Sequence, residues 1–242
     1  MTFLEAHKAF REIEDQYNLF DWNIEGFPVW DYLRFPTWYK FLEATGTCSR
    51  AHHSARSTGK GTRMKVWTNT FKHTALKNPF FAGECDYLFL GHPRRKLLPD
   101  GTYWDIYSDP VIDHLGRDKC LLLEKSDAGV PYHARPAHTK RLVYQEVFTF
   151  FRRLYGINPS PLKLDNSDKK TATHVGHAFE SNSLNDNYFD FLQMVRARHW
   201  KQQITDVLFE RLLKKVKPRA VCIVCSYGNE AEIEVCRKHN IP

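Results

Sequence analysis

Polar residues follow three apolar segments of the chain that have the composition of buried strands. In open parallel sheets ligands bind beyond the carboxyl ends of the strands, so the residues at these three ends are candidates for chemistry. Each of these residues also has a simpler interpretation as a solvated loop residue or a helix cap. For example, Ser226 or Asn229 could be the N-cap of a helix with Glu230 in its first turn, and this role requires no ligand. The candidates for substrate contact or catalysis are His92, Arg94 and Arg95 after the first segment, Glu124 and Asp127 after the second, and Ser226, Tyr227, Asn229 and Glu230 after the third.

Two chemistries that occur at strand ends are not indicated by the sequence. The chain has neither a G-x-G-x-x-G nor a G-x-x-x-x-G-K-[ST] pattern, which argues against a dinucleotide or nucleoside triphosphate phosphate loop. Cys222 and Cys225 have the spacing of a zinc or redox motif, but residues three apart on a strand point to opposite faces. We therefore expect reduced cysteines and no metal site.

The elements that must position these residues are predicted to form an α/β domain over residues 80–242. The fold class is a three-layer Rossmann-like domain with a mostly parallel sheet, because apolar strand patterns alternate with helical ones. A loop or hairpin is predicted around Pro99-Asp100-Gly101, and a short helix after Asp109-Pro110. Strands are predicted at 85–93, 119–125 and 220–225, helices at 141–155, 188–215 and 231–239, and an irregular excursion with at most a short helix at 157–187.

Residues 1–44 are predicted to form a helical N-terminal cap that is rich in large aromatic side chains. Apolar residues recur at helical spacing from Phe3, and a short helix is predicted over 29–35 with Pro36 at a kink or in a new first turn. The alternative for the aromatic segment is a surface at the membrane interface, where Trp and Tyr are frequent. Acidic residues interrupt any clean apolar face, which favours the packed cap.

The net charge of +7 comes from one stretch, because no acidic residue lies between Ala44 and Gly83 while Arg and Lys recur there. Outside it the charges balance, so a uniformly basic nucleic-acid-binding surface is not indicated. Residues 45–79 are predicted to be a basic flexible linker whose part 63–77 has the pattern of a basic amphipathic helix. Contacts with an anionic membrane or another polyanion are predicted for Arg63, Lys65, Trp67, Lys72 and Lys77. A solvated cationic face beside a linker is an equally weighted alternative.

Two stretches carry a resemblance to a known family. One is Lys217–Val221 with the Ser226–Asn229 turn, the helix after it and Asn240-Ile241-Pro242; the other is the aromatic run Trp22–Gly26 and Val29–Phe35. Both resemble bacterial GT-B-type glycosyltransferase-like proteins of capsule and surface-polysaccharide synthesis. In such proteins the Ile-Pro step leads into a strand ending in a Gln-His-Gly turn, and a second Rossmann-like domain binds the nucleotide sugar. Neither is present here, so the resemblance implies that the α/β domain is incomplete at its C-terminus.

The resemblance implies that this chain is the acceptor-side half of a glycosyltransferase-like protein, and that any enzyme activity of the full-length protein is sugar transfer. A nucleotide sugar is then expected in the missing domain, no cofactor in this chain, and a glycan or lipid-linked molecule as the acceptor. In an inverting transfer His92 is the first candidate for the base that removes the acceptor hydroxyl's proton, and Asp127 is the second. Arg94 and Arg95 would hold a phosphate or an acidic glycan.

The expected location is the cytoplasm, including the inner face of the plasma membrane. No run approaches the roughly 18 apolar residues of a membrane span, and the first residues contain no apolar signal core. The alternative from another functional class is a non-catalytic interaction module. In it, the basic aromatic segment 63–77 binds nucleic acid, an anionic membrane or a protein partner.

Overall fold

The structure is a computed structural model that describes residues 1–48, 68, 77–92, 95–124, 141–145, 147–182 and 190–242. Several predicted site residues lie outside these ranges, and their roles stay predictions: Arg63, Lys65, Trp67, Lys72, Arg94 and Asp127. The chain divides into two compact units. The first unit comprises Met1–Ser54 and Pro159–Gln203, and the second comprises Ala55–Asn158 and Ile204–Pro242. The sequence predicted one continuous α/β range over 80–242, whereas the structure groups residues 159–203 with the N-terminal residues.

The described helices and strands alternate along the second unit, and the first unit is mainly helical. The helices are α1 (Phe3–Gln16), α2 (Val29–Ala44), α3 (Ser108–Leu115), α4 (Val147–Leu154), α5 (Asn166–Ser181), α6 (Phe191–Val216) and α7 (Glu230–Lys238). The strands are β1 (Asn23–Ile24), β2 (Phe27–Pro28), β3 (Tyr87–Leu90), β4 (Arg95–Leu97), β5 (Tyr103–Asp105), β6 (Cys120–Glu124), β7 (Leu142–Tyr144) and β8 (Ala220–Ile223).

The first unit is built around stacked aromatic side chains. Trp30 is 1% exposed and its ring stacks with those of Phe10, Phe179 and Phe191, with centroids 5.9 to 6.3 Å apart. These rings come from α1, α2, α5 and the start of α6, so one aromatic core joins all four segments. Trp30 is therefore part of the packed interior of this unit.

Two helices of this unit are longer than predicted. The helix predicted over 29–35 continues through Pro36 to Ala44 as α2, because the cost of one missing backbone donor is offset by the burial of Trp30, Leu33 and Phe41 around it. The excursion predicted after Ile157 contains the full-length helix α5. Its start is fixed by a capping box between Asp165 and Asp168. Its apolar residues are few, so the helical period was hidden by the polar residues around them.

The second unit contains a four-stranded parallel sheet with the strand order β7-β6-β3-β8. Leu88, Leu121, Leu122 and Leu123 are at most 1% exposed, as expected for central parallel strands that are covered on both faces. The chain is therefore α/β with a parallel, Rossmann-like sheet. The predicted hairpin is also confirmed: β4 and β5 pair antiparallel, and Gly101 supplies a positive φ of 78° at the turn.

Strand β7 was missed by the sequence prediction, which placed a helix over 141–155. Leu142 pairs with Leu122 and Tyr144 pairs with Glu124, and only from Val147 does the chain become helical. Three consecutive apolar residues fit a strand and a buried helix equally well, and the free edge of β6 decides in favour of the strand.

Strand β8 is an edge strand and is half-buried along its length. One of its sides pairs with β3, from Tyr87 opposite Ala220 to Leu90 opposite Ile223. On its other side the backbone N–H of Val221 donates to the carbonyl oxygen of Pro242, at 2.8 Å. The strand predicted over Ala220–Cys225 is thus paired, although it ends two residues earlier than predicted.

Within the described residues, no helix combines the length and the apolar character needed to cross a membrane.

Candidate functional site

The strand order identifies one place at the carboxyl edge of the sheet where a ligand crevice is expected. From β3 the chain moves towards β6 and β7 on one side, whereas β8 lies on the other side of β3. Such a reversal is a topological switch point, and open α/β sheets bind ligands there. Leu90 and Ile223, the last residues of β3 and β8, are direct register partners. The residues that follow them therefore leave the sheet side by side.

The segment that leaves β3 is fixed by a buried carboxylate. The backbone N–H of His92 donates to Oδ2 of Asp105 at 3.0 Å, and Asp105 has no exposed surface. The other oxygen, Oδ1, accepts from the backbone N–H groups of Tyr107 and Ser108 at 3.0 and 3.1 Å. The rings of His92 and Tyr107 meet edge to face with centroids 5.0 Å apart. His92 is half-buried, so its position is constrained without being closed off from solvent.

A buried ion pair lies beside this segment. The side chains of Arg95 and Glu124 are 5% and 1% exposed, and Nη2 of the arginine is 3.4 Å from Oε1 of the glutamate. Gly91 makes room for the pair, because a Cβ at that position would lie 3.2 Å from Cγ of Glu124. Among the described residues Nε of Arg95 has no hydrogen-bond partner, although the atom is buried. The structure thus brings Arg95 and Glu124 together, next to the residue that precedes His92.

The turn after β8 is held by bonds within itself. The backbone N–H of Asn229 donates to the carbonyl of Ser226 at 2.9 Å, and its side-chain amide donates to the carbonyl of Cys225 at 2.8 Å. Glu230 accepts a hydrogen bond from the backbone N–H of Gly228 at 2.8 Å. Asn229 occupies the N-cap position of α7 but makes no side-chain cap bond, so the capping interpretation of this residue was wrong. Ser226 and Tyr227 remain exposed at the tip of the turn.

Two functional candidates at this edge were not found from the sequence. Asp105 gave only a weak signal, an acidic residue at the end of a short aromatic strand just before the start of α3. Glu232 in α7 is 2% exposed, and its Oε1 accepts a hydrogen bond from Nε2 of Gln145 at 2.5 Å. Gln145 directly follows β7, and its backbone N–H donates to the carbonyl of Glu124 at 2.8 Å. This contact joins residues 87 positions apart, which no local pattern shows.

The cysteines of the second unit behave as buried apolar residues. Burial raises the pKa of Cys85, Cys120 and Cys236 to about 11, and it also raises the pKa of Cys222. Such thiols stay protonated at neutral pH and are poor nucleophiles. Within the ranges that the structure describes, no group of three or more His, Cys, Asp or Glu residues could hold a metal ion.

The predicted polyanion contacts are described only at Lys77. This residue is half-buried, and its carbonyl accepts a hydrogen bond from the backbone N–H of Tyr144 at 3.1 Å. Its backbone therefore runs beside β7.

No protein-family model matches this chain, and no match was found among curated proteins or among solved structures.

Proposed function

We propose that the carboxyl edge between β3 and β8 is the acceptor-binding site of a glycosyltransferase-like protein of cell-surface polysaccharide synthesis. The observation that carries the proposal is the switch point itself, at which His92 and the turn 226–230 leave neighbouring strands. A sheet edge with a half-buried imidazole at the end of one strand and exposed hydroxyl groups after the neighbouring strand suits a ligand with many hydroxyls. Sugars are such ligands.

In this proposal His92 removes the proton of the acceptor hydroxyl as that oxygen attacks the anomeric carbon of the donor sugar. The bond from that carbon to the nucleoside diphosphate breaks, and the diphosphate leaves with the electron pair. Imidazole is the side chain best suited to accept a proton at neutral pH. Ser226, Tyr227 and Asn229 would orient the acceptor from the β8 side. Asp127, the second candidate base, belongs to the undescribed part of the chain and keeps that predicted role.

Arg95 gives the proposed site a preference for acidic acceptors. A buried donor without a partner costs about 1–3 kcal/mol, and an oxygen of a phosphate or uronate that reached Nε would recover that cost. The adjacent Glu124 keeps the guanidinium in place, with Nη2 and Oε1 3.4 Å apart. An anionic group of the acceptor would thus compete with Glu124 for the same cation.

The finer features of the fold belong to the same proposal. We infer three layers, with helices on both faces of the sheet. We also propose that this chain supplies the acceptor side of the active site and that a separate domain binds the nucleotide sugar. Residues 1–242 alone are then expected to bind an acceptor without turning over a nucleotide sugar.

Saturation-transfer NMR with a panel of neutral and acidic bacterial surface oligosaccharides tests the proposal. We expect signals from at least one acidic oligosaccharide, and we expect them to weaken in His92→Gln and in Ser226→Ala. Lys8→Ala is the matched control, because Lys8 lies on the first unit with an exposed side chain and should leave the signals unchanged. Absence of binding across the panel, or equal binding by all variants, would contradict the proposed site. Hydrolysis or transfer of a nucleotide sugar by this chain alone would contradict the division of the active site between two domains.

A further inference from the structure

Two segments that meet at the carboxyl edge are held by the two oxygens of a single side chain. Oδ2 of Asp105 accepts from His92, which follows β3, and Oδ1 accepts from Tyr107 and Ser108 at the start of α3. The carboxylate has no exposed surface, so these bonds are protected from competition with water. The backbone N–H of Asp105 donates in turn to Oδ2 of Asp109 at 2.7 Å, which fixes the position of Asp105 itself.

The consequence of this arrangement is a defined pair of rings. The His92 and Tyr107 rings lie 5.0 Å apart at an interplanar angle of 81°. Tyr107 is 38% exposed, so part of its ring surface is open to a ligand beside the imidazole. Aromatic rings prefer such edge-to-face contacts, but a contact between two partly exposed rings is too weak to fix their backbones. The buried carboxylate does so instead.

We propose that Asp105 is a positioning residue that holds His92 and Tyr107 as a pair, with the open surface of Tyr107 as the wall on which a sugar ring of the acceptor packs. This inference rests on the proposed function, and it adds a substrate-contacting residue and a positioning residue to it. The C–H groups on one face of a sugar ring make favourable contacts with an aromatic ring. A sugar seated on Tyr107 would have a hydroxyl within reach of the neighbouring imidazole.

A carboxylate is required at this position because both oxygens must accept. Asparagine would offer one acceptor oxygen and one NH₂ donor, and the donor would face a backbone N–H. Asp105→Asn must therefore break either the bond to His92 or the bonds to Tyr107 and Ser108, and in either case the pair loses its fixed geometry. A role limited to capping α3 would need only Oδ1 and would leave His92 unaffected.

The ligand-free protein provides the decisive measurement, the ring-proton NMR signals of His92, assigned by their loss in His92→Gln. We expect these signals to shift in Asp105→Asn and in Tyr107→Leu, because both variants remove the ring of Tyr107 from its fixed place beside the imidazole. Tyr107→Phe keeps the ring and should keep the signals. Glu14→Gln is the matched control, since it alters a fully buried carboxylate in the first unit.

The outcomes separate this inference from the proposed function. Unchanged His92 signals in Asp105→Asn, or in Tyr107→Leu, would overturn the pairing of the two rings whatever the protein binds. Tyr107→Leu changes an exposed side chain, so it keeps the test valid if Asp105→Asn fails to fold. For the sugar contact, the oligosaccharide that binds the wild type should lose most of its saturation transfer in Tyr107→Leu and keep it in Tyr107→Phe. Equal binding by Tyr107→Leu and Tyr107→Phe would contradict the packing of a sugar ring on Tyr107. Failure of the wild type to bind any oligosaccharide would overturn the proposed function, and with it the sugar contact, while the His92 signals would still decide the role of Asp105.

Discussion

Removal of either partner of the buried ion pair between Arg95 and Glu124 should strongly destabilise the second unit. Both side chains are almost fully buried, and the closest charged atoms are 3.4 Å apart. At an effective dielectric constant of about 20, two unit charges at that separation attract by about 5 kcal/mol. Desolvation of both groups offsets much of this gain, so the pair itself adds little, but removal of one partner takes the nearest opposite charge away from the other in the interior.

We therefore predict that Arg95→Met and Glu124→Gln each lower the free energy of unfolding by about 3 kcal/mol, the lower end of the range for broken buried pairs. The double variant should lose much less than the sum of the two, because it removes both charges together. The expected coupling energy is about 2–3 kcal/mol, within the range found for residues in direct contact.

Urea unfolding followed by circular dichroism measures these values for the wild type, the two single variants and the double variant. Arg117→Met is the matched control, because the Arg117–Asp113 pair is one-third exposed and should contribute no more than about 0.5 kcal/mol. Additive losses in the double variant, with a coupling energy near zero, would refute the reasoning. They would mean that the two side chains are buried independently of each other.

Three further predictions concern other parts of the chain. Burial raises the pKa of Asp206 to about 6, with smaller contributions from neighbouring carboxylates, so the folded protein holds this proton more tightly than the unfolded chain. The stability that this proton contributes is fully present below about pH 4 and is lost as the pH rises through 6. We therefore expect Asp206→Asn to raise the free energy of unfolding by about 1–2 kcal/mol at pH 8, a value that allows for solvent screening. At pH 4 the same variant should leave the free energy of unfolding unchanged. An equal gain at both pH values would contradict this. Glu14 is fully buried and accepts hydrogen bonds from Trp30 and Arg34, at 2.7 and 2.5 Å. Glu14→Gln should therefore lower the free energy of unfolding in urea by about 2–3 kcal/mol. A decrease below about 0.5 kcal/mol would show that these hydrogen bonds contribute little. If the basic segment binds anionic membranes, flotation with anionic liposomes should fall when Lys65, Lys72 and Lys77 are replaced by Gln together, whereas an unchanged result would remove that role.

The sequence was most informative where the local pattern and the tertiary structure agree. The predicted strands at 85–93 and 119–125 contain β3 and β6, because continuous apolar runs bounded by polar residues are typical of central parallel strands. The hairpin around Gly101 was found because its turn chemistry is local. Strand β7 was missed because three residues are too few to show a period, and its identity depends on pairing with β6.

The candidate site was predictable in position but not in its contacts. The rule that ligands bind at strand ends placed His92, Glu124 and the turn 226–230 at one edge, and the sheet order puts β3 and β8 side by side. The pairing of Arg95 with Glu124 depends on how the hairpin folds back over β6, and the contact of Gln145 with Glu232 depends on where α7 packs. Both are tertiary contacts between residues far apart in the sequence, and no spacing rule contains them.

The central claim is that an acceptor binds at the carboxyl edge between β3 and β8. Amide hydrogen exchange with and without the oligosaccharide that gives the strongest saturation transfer tests this claim most directly. Slower exchange at residues 91–92, at Tyr107 and across the turn 226–230 is the predicted result. Protection confined to the first unit, or exchange that is the same with and without the oligosaccharide, would contradict it.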